Sequence, residues 1–408
     1  MIYDVLVIGG GAAGLCAAIE VKKQKSGAVV GVAEQLSRVG KKLITTGNGR
    51  CNITNKNCTL DRYHGENVGF SSFALEKYNN DKIADFFGDL GVIFTYEGEK
   101  AYPYSLQASS VVDALRFGAE RKGVEILTDT KITDFEFSGG LYTLKTQNGN
   151  IKAKNIIVAT GLLSGGEKLG SDGGFFGVMK KKGYPFSKTT PAIVQLKTDN
   201  NLTKSLKGIK VNADVTLTLN GKVLRKDSGE VLFCDYGLSG PPIMQLSRET
   251  ARRDGNFYIK LDIMPEYDFD SLFNMLVLRK STLSGVPLEE FFTGLLNKRV
   301  GQAILKQAGF KLSDNTDNLN EKALRQVTEL IKSLAFKVTG NTGFVNSQVT
   351  AGGLLTESFS GHTMMSKKHK GLYAVGEILD IDGDCGGFNL RWAWSSALCA
   401  ADAITENL

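Results

Sequence analysis

The sequence predicts an α/β protein, a doubly wound parallel sheet interrupted by an insertion. Three observations carry this. An apolar strand at residues 2–8 runs into a glycine-rich turn and a helix of small residues. Short buried-strand patterns return at 29–34, 124–127, 155–161 and 371–377. Between about 190 and 340 the periodicity changes, first to alternating strands and then to helices.

The first turn reads Gly9-Gly10-Gly11-Ala12-Ala13-Gly14, a Gly-x-Gly-x-x-Gly pattern. Gly9 permits the tight turn, Gly11 lets backbone N–H groups approach a pyrophosphate, and Gly14 lets the helix pack closely on the strand. The positive helix N-terminus then faces the phosphates. Glu34 follows Gly14 by twenty residues, at the end of the second strand. A carboxylate there accepts hydrogen bonds from both ribose hydroxyls and repels a 2′-phosphate. Strand, turn, helix and acidic residue together indicate a dinucleotide site rather than an empty glycine turn.

Residues 40–55, including Thr46-Gly47-Asn48-Gly49-Arg50-Cys51-Asn52, are too polar and glycine-rich for helix or strand. Helical patterns follow at 73–90 and 109–122, then a third parallel strand at 124–127 and a hairpin of 132–137 with 142–146 around Gly139-Gly140. The strand at 155–161 ends in Ala159-Thr160-Gly161. Past Thr190-Pro191, alternation such as 214–219, with turns at Asn220-Gly221 and Ser228-Gly229, predicts a small antiparallel β-subdomain. Residues 265–336 read as helical, with apolar spacing at 272–278, 288–296, 300–305 and 324–334, and the chain closes with a helix over 390–406. The expected division is 1–190 and 341–408 for a discontinuous nucleotide-binding domain, 191–262 for the β-subdomain and 263–340 for a helical subdomain.

The 408 residues carry a net charge of +6 from 49 basic and 43 acidic residues spread along the chain. Clusters such as Lys180-Lys181-Lys182 and Lys367-Lys368-His369-Lys370 lack interleaved aromatics and read as solvated faces, so no nucleic-acid partner is expected. No apolar run is long enough to span a bilayer, and the first residues lack the basic start of a signal peptide. The six cysteines are dispersed, with no Cys-x-x-Cys, which argues against a disulfide reductase and for a reducing compartment; a cytoplasmic location is expected.

Three stretches, 8–14, 46–52 and 376–390, together resemble the HI0933-like (BaiN-like, aminoacetone oxidase) family of FAD-dependent flavoproteins, and the likeness runs nearly end to end. The resemblance implies a discontinuous FAD-binding Rossmann-like domain of the two-dinucleotide-binding-domain flavoprotein type, with the inserted β- and helical subdomains capping the flavin. By similarity, Gly9, Gly11, Ala12, Ala13 and Gly14 would hold the pyrophosphate, Glu34 and Gln35 the adenosine ribose, and Lys131 and Ile132 would flank the adenine. Lys41, Gly47, Arg50, Cys51 and Asn52 would line the ribityl and flavin end, and the strand end Ala159-Thr160-Gly161 would also contact the cofactor. Gly376-Glu377 stands where such enzymes place a carboxylate against the ribityl hydroxyls, with Glu for the commoner Asp. Gly386-Gly387 opens the final helix, so N–H groups of Phe388, Asn389 and Leu390 would face the flavin pyrimidine and stabilise negative charge on the reduced ring.

Other constellations fall away. Asp380-x-Asp382-x-Asp384 begins like a calcium loop, but its sixth position is Cys385 and its twelfth Arg391. Residues 161–169 fail as a P-loop and Gly237-Leu238-Ser239-Gly240-Pro241 fails as a nucleophile elbow, leaving Ser239 as a turn or cap residue. His64, His362 and His369 have no metal-ligand spacing and are expected at the surface. Cys51 reads as a small residue packed beside the ring, and Trp392 and Trp394 as core. The expected function is an FAD-dependent oxidoreductase acting on a small organic substrate, either by NAD(P)H-linked reduction of an unsaturated acceptor or by O2-linked oxidation of an amine. NAD(P)H, if used, would visit the flavin transiently or bind on the cap, since only one glycine fingerprint follows a strand. The alternative is a flavin-binding redox sensor or RNA-associated flavoprotein. No catalytic acid or base stands out in the sequence.

Overall fold

A computed structural model of the chain describes residues 1–199 and 201–408, which divide into two compact units, Met1–Pro191 with Phe344–Leu408, and Ala192–Gly343.

The first unit is built on a seven-stranded sheet. β1 (Ile2–Ile8) lies at its centre, parallel to β2 (Val30–Ala33) on one side and to the last residues of β6 (Gly149–Val158) on the other. β2 pairs in parallel with β3 (Glu125–Leu127), and β6 with the strand Leu372–Ala374. The first half of β6 instead pairs antiparallel with β5 (Leu141–Thr146), which pairs with β4 (Ile132–Ser138). One long strand thus serves both the parallel sheet and the hairpin. Val5, Leu6, Val7 and Ile8 are all buried, as a central strand covered on both faces requires.

Helix α1 (Ala12–Gln24) covers one face with Ala13, Gly14, Ala17 and Ala18 buried. Small side chains let it lie close to the C-terminal helix Phe388–Thr405, against which it packs. That last helix is enclosed along most of its length. The Trp392 indole donates to the Gly376 carbonyl (3.1 Å), the Trp394 indole to that of Ile53 (3.0 Å), and the buried Arg391 guanidinium to Asn80 Oδ1 (2.7 Å) and the Leu75 carbonyl (3.0 Å). It therefore fastens chain segments more than three hundred residues apart to one core.

The helical pattern at 73–90 is two helices, Ser72–Lys77 and Asn80–Asp89, because Asn79 takes extended backbone and its side chain accepts the Lys82 N–H as a cap. The 288–296 pattern yields one 3-10 turn, Leu288–Glu290, before Asn297 caps the next helix.

In the second unit six strands close into a barrel in the order Leu196–Thr198, Gly237–Ser239, Lys222–Cys234, Lys210–Leu219, Phe257–Asp262, Leu334–Asn341. Asn220 and Gly221 both take positive φ (49° and 84°), the conformation of a two-residue hairpin turn. Ser228-Gly229, expected as a second turn, instead lies inside the long strand, where Ser228 pairs with Asp214. Ser239, expected as a turn or cap, ends a barrel strand, and Gly240 caps the helix that follows. Helices Phe269–Thr282, Lys298–Gln307 and Glu321–Lys332 lie between the last two barrel strands in sequence. Residues 334–341, expected as the end of the helical stretch, supply the strand that closes the barrel. Val215, Ile259 and Phe336 from the barrel share one hydrophobic cluster with Leu272, Ile304 and Val327 from the helices. Strands and helices here have a common core, where the sequence suggested two subdomains.

Replacing Trp394, fully buried with its ring centroid 5.1 Å from that of Phe87 in an edge-to-face contact, by Ala is expected to cost about 3–5 kcal/mol, read as a lowered denaturant midpoint.

Candidate functional site

The carboxyl end of the parallel sheet is where β1 and β6 release the chain into glycine turns. Gly9 has φ +105°, and a Cβ there would stand 2.6 Å from the Ala159 carbonyl oxygen. A Cβ on Gly14 would stand 1.9 Å from the Gly9 oxygen, so α1 could not start here with any other residue. Gly11 differs. It is the N-cap of α1, lends no side chain to the first-turn N–H groups, and a Cβ built on it meets nothing within 4 Å. The N–H groups of Ala12, Ala13 and Gly14 thus border an open cradle.

Glu34 closes one side of it. Its Oε2 accepts the Gly10 N–H and its Oε1 the Leu36 N–H, both at 2.8 Å. Burial raises its pKa above the ordinary carboxylate value, against the opposing pull of those N–H groups and of Lys41. Lys41, expected at the flavin end, therefore acts electrostatically on Glu34. Beyond Glu34, the Gln35 amide donates to the Gly170 carbonyl (2.7 Å), and Lys131 forms a 2.5 Å ion pair with Asp172, on which Gln35 also acts. Ile132 is buried in the sheet.

The glycine-rich segment at 40–55 does form two short helical pieces, Lys41–Ile44 and the 3-10 turn Thr46–Gly49. Its path is contorted: Gly47, Asn48, Gly49 and Cys51 all have positive φ. Arg50 lies over the Tyr102 ring, 4.6 Å from its centroid, and pairs with Glu97 at 2.7 Å. Cys51 is fully buried, and burial pushes its thiol up to about 12 despite a hydrogen bond with Thr46. The buried Asn52 has an Oδ1 without a hydrogen-bond partner. A Cβ on Gly387 would lie 2.8 Å from that oxygen. Gly387, φ +98°, is the N-cap of the C-terminal helix and again lends no side chain to its first turn. An orphaned acceptor thus stands beside a row of free donors.

The two ends of the chain meet at Gly376, whose Cβ position lies 3.2 Å from the Ala13 side chain and whose N–H donates to Ser396 Oγ (2.9 Å). Thr160 and Gly161 turn the chain at the end of β6, with Gly161 at φ +62° and its Cβ position 3.2 Å from Glu377 Oε2. The Glu377 carboxylate is held by three groups: Lys42 Nζ donates to Oε2 at 2.5 Å, Ser164 Oγ to Oε1 at 2.5 Å, and the Thr350 N–H to Oε1 at 2.8 Å. Sequence reasoning missed Lys42, Ser164 and Thr350, and also Asp172. Lys42 is one of two adjacent lysines with nothing in the pattern to separate them, and the other three are far from their partners along the chain.

For Asn389 the expected contact runs through the backbone N–H, and its side chain is engaged within the protein. Its amide exchanges hydrogen bonds with the Gly383 backbone (2.8 Å each way), bracing the 383–389 loop, so only its backbone is left to face a ligand. Leu390 packs in part against the core. Two histidines expected at the surface are half-buried and paired: His64 with Asp384 at 2.8 Å and His369 with the Tyr184 hydroxyl at 2.7 Å. Trp392 and Trp394 are core residues. Among the described residues no group of three or more His, Cys, Asp or Glu side chains is gathered as metal ligands, and no helix is long and apolar enough to cross a membrane.

Comparison with known proteins bears on this site. The family model of the HI0933-like protein Rossmann domain matches residues 3–403. A 3-dehydro-bile acid delta(4,6)-reductase of Clostridium scindens is 31% identical over 403 residues, 98% of either chain. A ribosomal RNA dihydrouridine synthase of Haemophilus influenzae is 29% identical over 410 residues, again 98% of either chain. Among solved structures, an Escherichia coli quinol fumarate reductase chain superimposes with a TM-score of 0.53 at 14% identity, covering 100% of this chain and 70% of that one, a likeness of fold. With the family match running from the first strand to the last helix, the chain belongs to the HI0933-like Rossmann-domain family of FAD-dependent oxidoreductases.

Proposed function

We propose that this protein reduces a carbon–carbon double bond conjugated to a carbonyl in a small organic acceptor. The observation that carries the reading is the 31% identity, across 98% of both chains, to a protein named as a delta(4,6)-reductase. The other relative's name, dihydrouridine synthase, likewise describes saturation of a ring double bond. Electrons would come from NADH or NADPH visiting the site transiently, and a reducing cytoplasm suits a chain whose six cysteines form no disulfide among the described residues.

The residues fit FAD on two observations: the open cradle at Gly11, and the orphaned Asn52 Oδ1 beside the uncapped helix at Gly387. Bound there, FAD would supply hydride transfer. Gly9, Gly11, Ala12, Ala13 and Gly14 would hold its pyrophosphate by backbone N–H groups, and Glu34 its adenosine ribose. Gln35 would stand with Glu34 at the ribose, and Lys131 and Ile132 would flank the adenine. Gly376, Glu377 and the turn Ala159-Thr160-Gly161 would meet the ribityl chain. Gly47, Arg50, Cys51, Asn52, Gly386 and Gly387, with the backbone N–H groups of Asn389 and Leu390, would border the flavin ring. Donors at the helix N-terminus favour negative charge on the reduced ring. Cys51, with its thiol pushed up to about 12, is a packing residue, which weighs against a cysteine-based redox sensor at this position.

The Haemophilus influenzae relative favours a second reading, in which the reduced double bond belongs to a uracil in RNA. It reopens the nucleic-acid partner that the scattered lysines led us not to expect. Anaerobic mixing with NADH or NADPH should bleach the flavin, and reoxidation by an unsaturated steroid ketone but not by unmodified ribosomal RNA would support the first reading. Reoxidation by RNA alone would replace it with the second. Peroxide release from amines in air, with no bleaching by either nucleotide, would defeat both.

Gly11→Val should give a folded, colourless apoprotein, since its side chain enters space no protein atom occupies; flavin at one equivalent in that variant would refute the cradle. Glu34→Ala should weaken FAD binding by about 1.5–3 kcal/mol, measured by titration. The pH dependence has a definite sign. Ribose hydroxyls donate to the carboxylate form, so below the raised pKa of Glu34 binding must expel a proton, and FAD affinity should fall as pH drops through that raised pKa. Glu34→Gln should flatten that profile.

A further inference from the structure

We infer that Lys42 and Ser164 are positioning residues that fix the Glu377 carboxylate for the ribityl end of FAD. The inference rests on the FAD reading above and adds two residues to it. The ammonium of Lys42 is 2.5 Å from both Glu377 Oε2 and Ser164 Oγ, and Ser164 Oγ in turn donates to Oε1, so lysine, serine and carboxylate form a closed triangle. The Thr350 N–H adds a second donor to Oε1, while the Thr350 hydroxyl accepts the N–H groups of Leu163 and Ser164 and ties down the loop that carries Ser164.

This arrangement uses the two carboxylate oxygens unequally. Oε1 receives two donors from its own surroundings, whereas Oε2 receives Lys42 alone. The position beside Oε2 belongs to Gly161, whose missing Cβ would stand 3.2 Å away. A glycine at φ +62° in that turn leaves Oε2 approachable from the end of β6, the edge at which open α/β sheets bind their ligands. A carboxylate oxygen accepts more than one hydrogen bond, so Oε2 keeps capacity for a ribityl hydroxyl while Lys42 holds its direction. Glutamate reaches further than the aspartate common at this place and has one more rotatable bond. The lysine and serine supply the restraint that the longer side chain needs.

The test separates the two ends of the cofactor. ADP occupies only the adenosine and pyrophosphate part, so Lys42→Met should weaken FAD binding about tenfold by equilibrium dialysis of the purified protein while leaving ADP affinity within twofold of wild type. Ser164→Ala should move FAD in the same direction by a few fold, again without ADP, and it keeps the question answerable if Lys42→Met does not fold. Lys42→Arg should restore most of the affinity. Combining Lys42→Met with Glu377→Gln should weaken FAD no more than Glu377→Gln does, because the lysine acts through the carboxylate. Unchanged FAD affinity, an equal loss of ADP, or additive losses in the double variant would each overturn the positioning role. Wild-type protein that binds ADP but not FAD would overturn the flavin reading itself, and this inference with it.

Discussion

The structure of the first unit depends on the C-terminal helix being buried against α1. A parallel sheet with both faces covered has to recruit its last strand and helix from wherever the chain supplies them, and here they come after an excursion of about 150 residues. Trp392, Arg391 and Trp394 secure that return by bonding to Gly376, to the Leu75 and Asn80 region, and to Ile53. Those bonds satisfy polar groups that would otherwise be stranded in the core. They also bring Gly376 against Ala13, so that the first glycine turn and the last belong to one site.

The helices differ in whether a side chain caps their first turn. At Asn79, Asp268, Asn297 and Asn320 a side chain accepts a first-turn N–H, as helices ordinarily require. At Gly11 and Gly387 it does not, as it also does not at Gly40, Ser71, Gln107, Gly173 and Gly240. The helices at Gly11 and Gly387 are both long, both start in motifs legible in the sequence, and both present their positive ends without an internal acceptor. Asn52 complements the second of them, offering an acceptor where the backbone offers donors. A group with adjoining carbonyl and N–H edges matches that surface, as does a pyrophosphate the first.

Charge is arranged with similar economy. Glu34 is oriented by two backbone N–H groups and Glu377 by a lysine, a serine and one backbone N–H. Neither is left to sample rotamers, so a hydroxyl approaching either meets an acceptor whose direction is already set. Much of the ordering entropy of such a contact is met during folding.

Motifs with local physical requirements were legible in the sequence: the turn at Gly9–Gly14 that only glycine can make, Glu34 at a strand end and the glycines before the final helix. Period-two alternation identified the β4–β5 hairpin, and apolar runs identified β1, β2, β3 and the strand Leu372–Ala374. Each of these follows from a few consecutive residues. Contacts between distant residues were not legible, because no local pattern encodes them. Which of Lys41 and Lys42 meets Glu377, that Asn389 folds back onto Gly383, that residues 334–341 form a strand rather than helix, and that Gly229 runs through a strand instead of turning were settled by pairing across the fold. Sequence determined the framework of glycine turns at the carboxyl end of the sheet, since backbone geometry restricts residue choice at each turn. Only the tertiary structure decided which side chains orient its carboxylates, since a hydrogen bond depends on ångström distances between residues far apart along the chain.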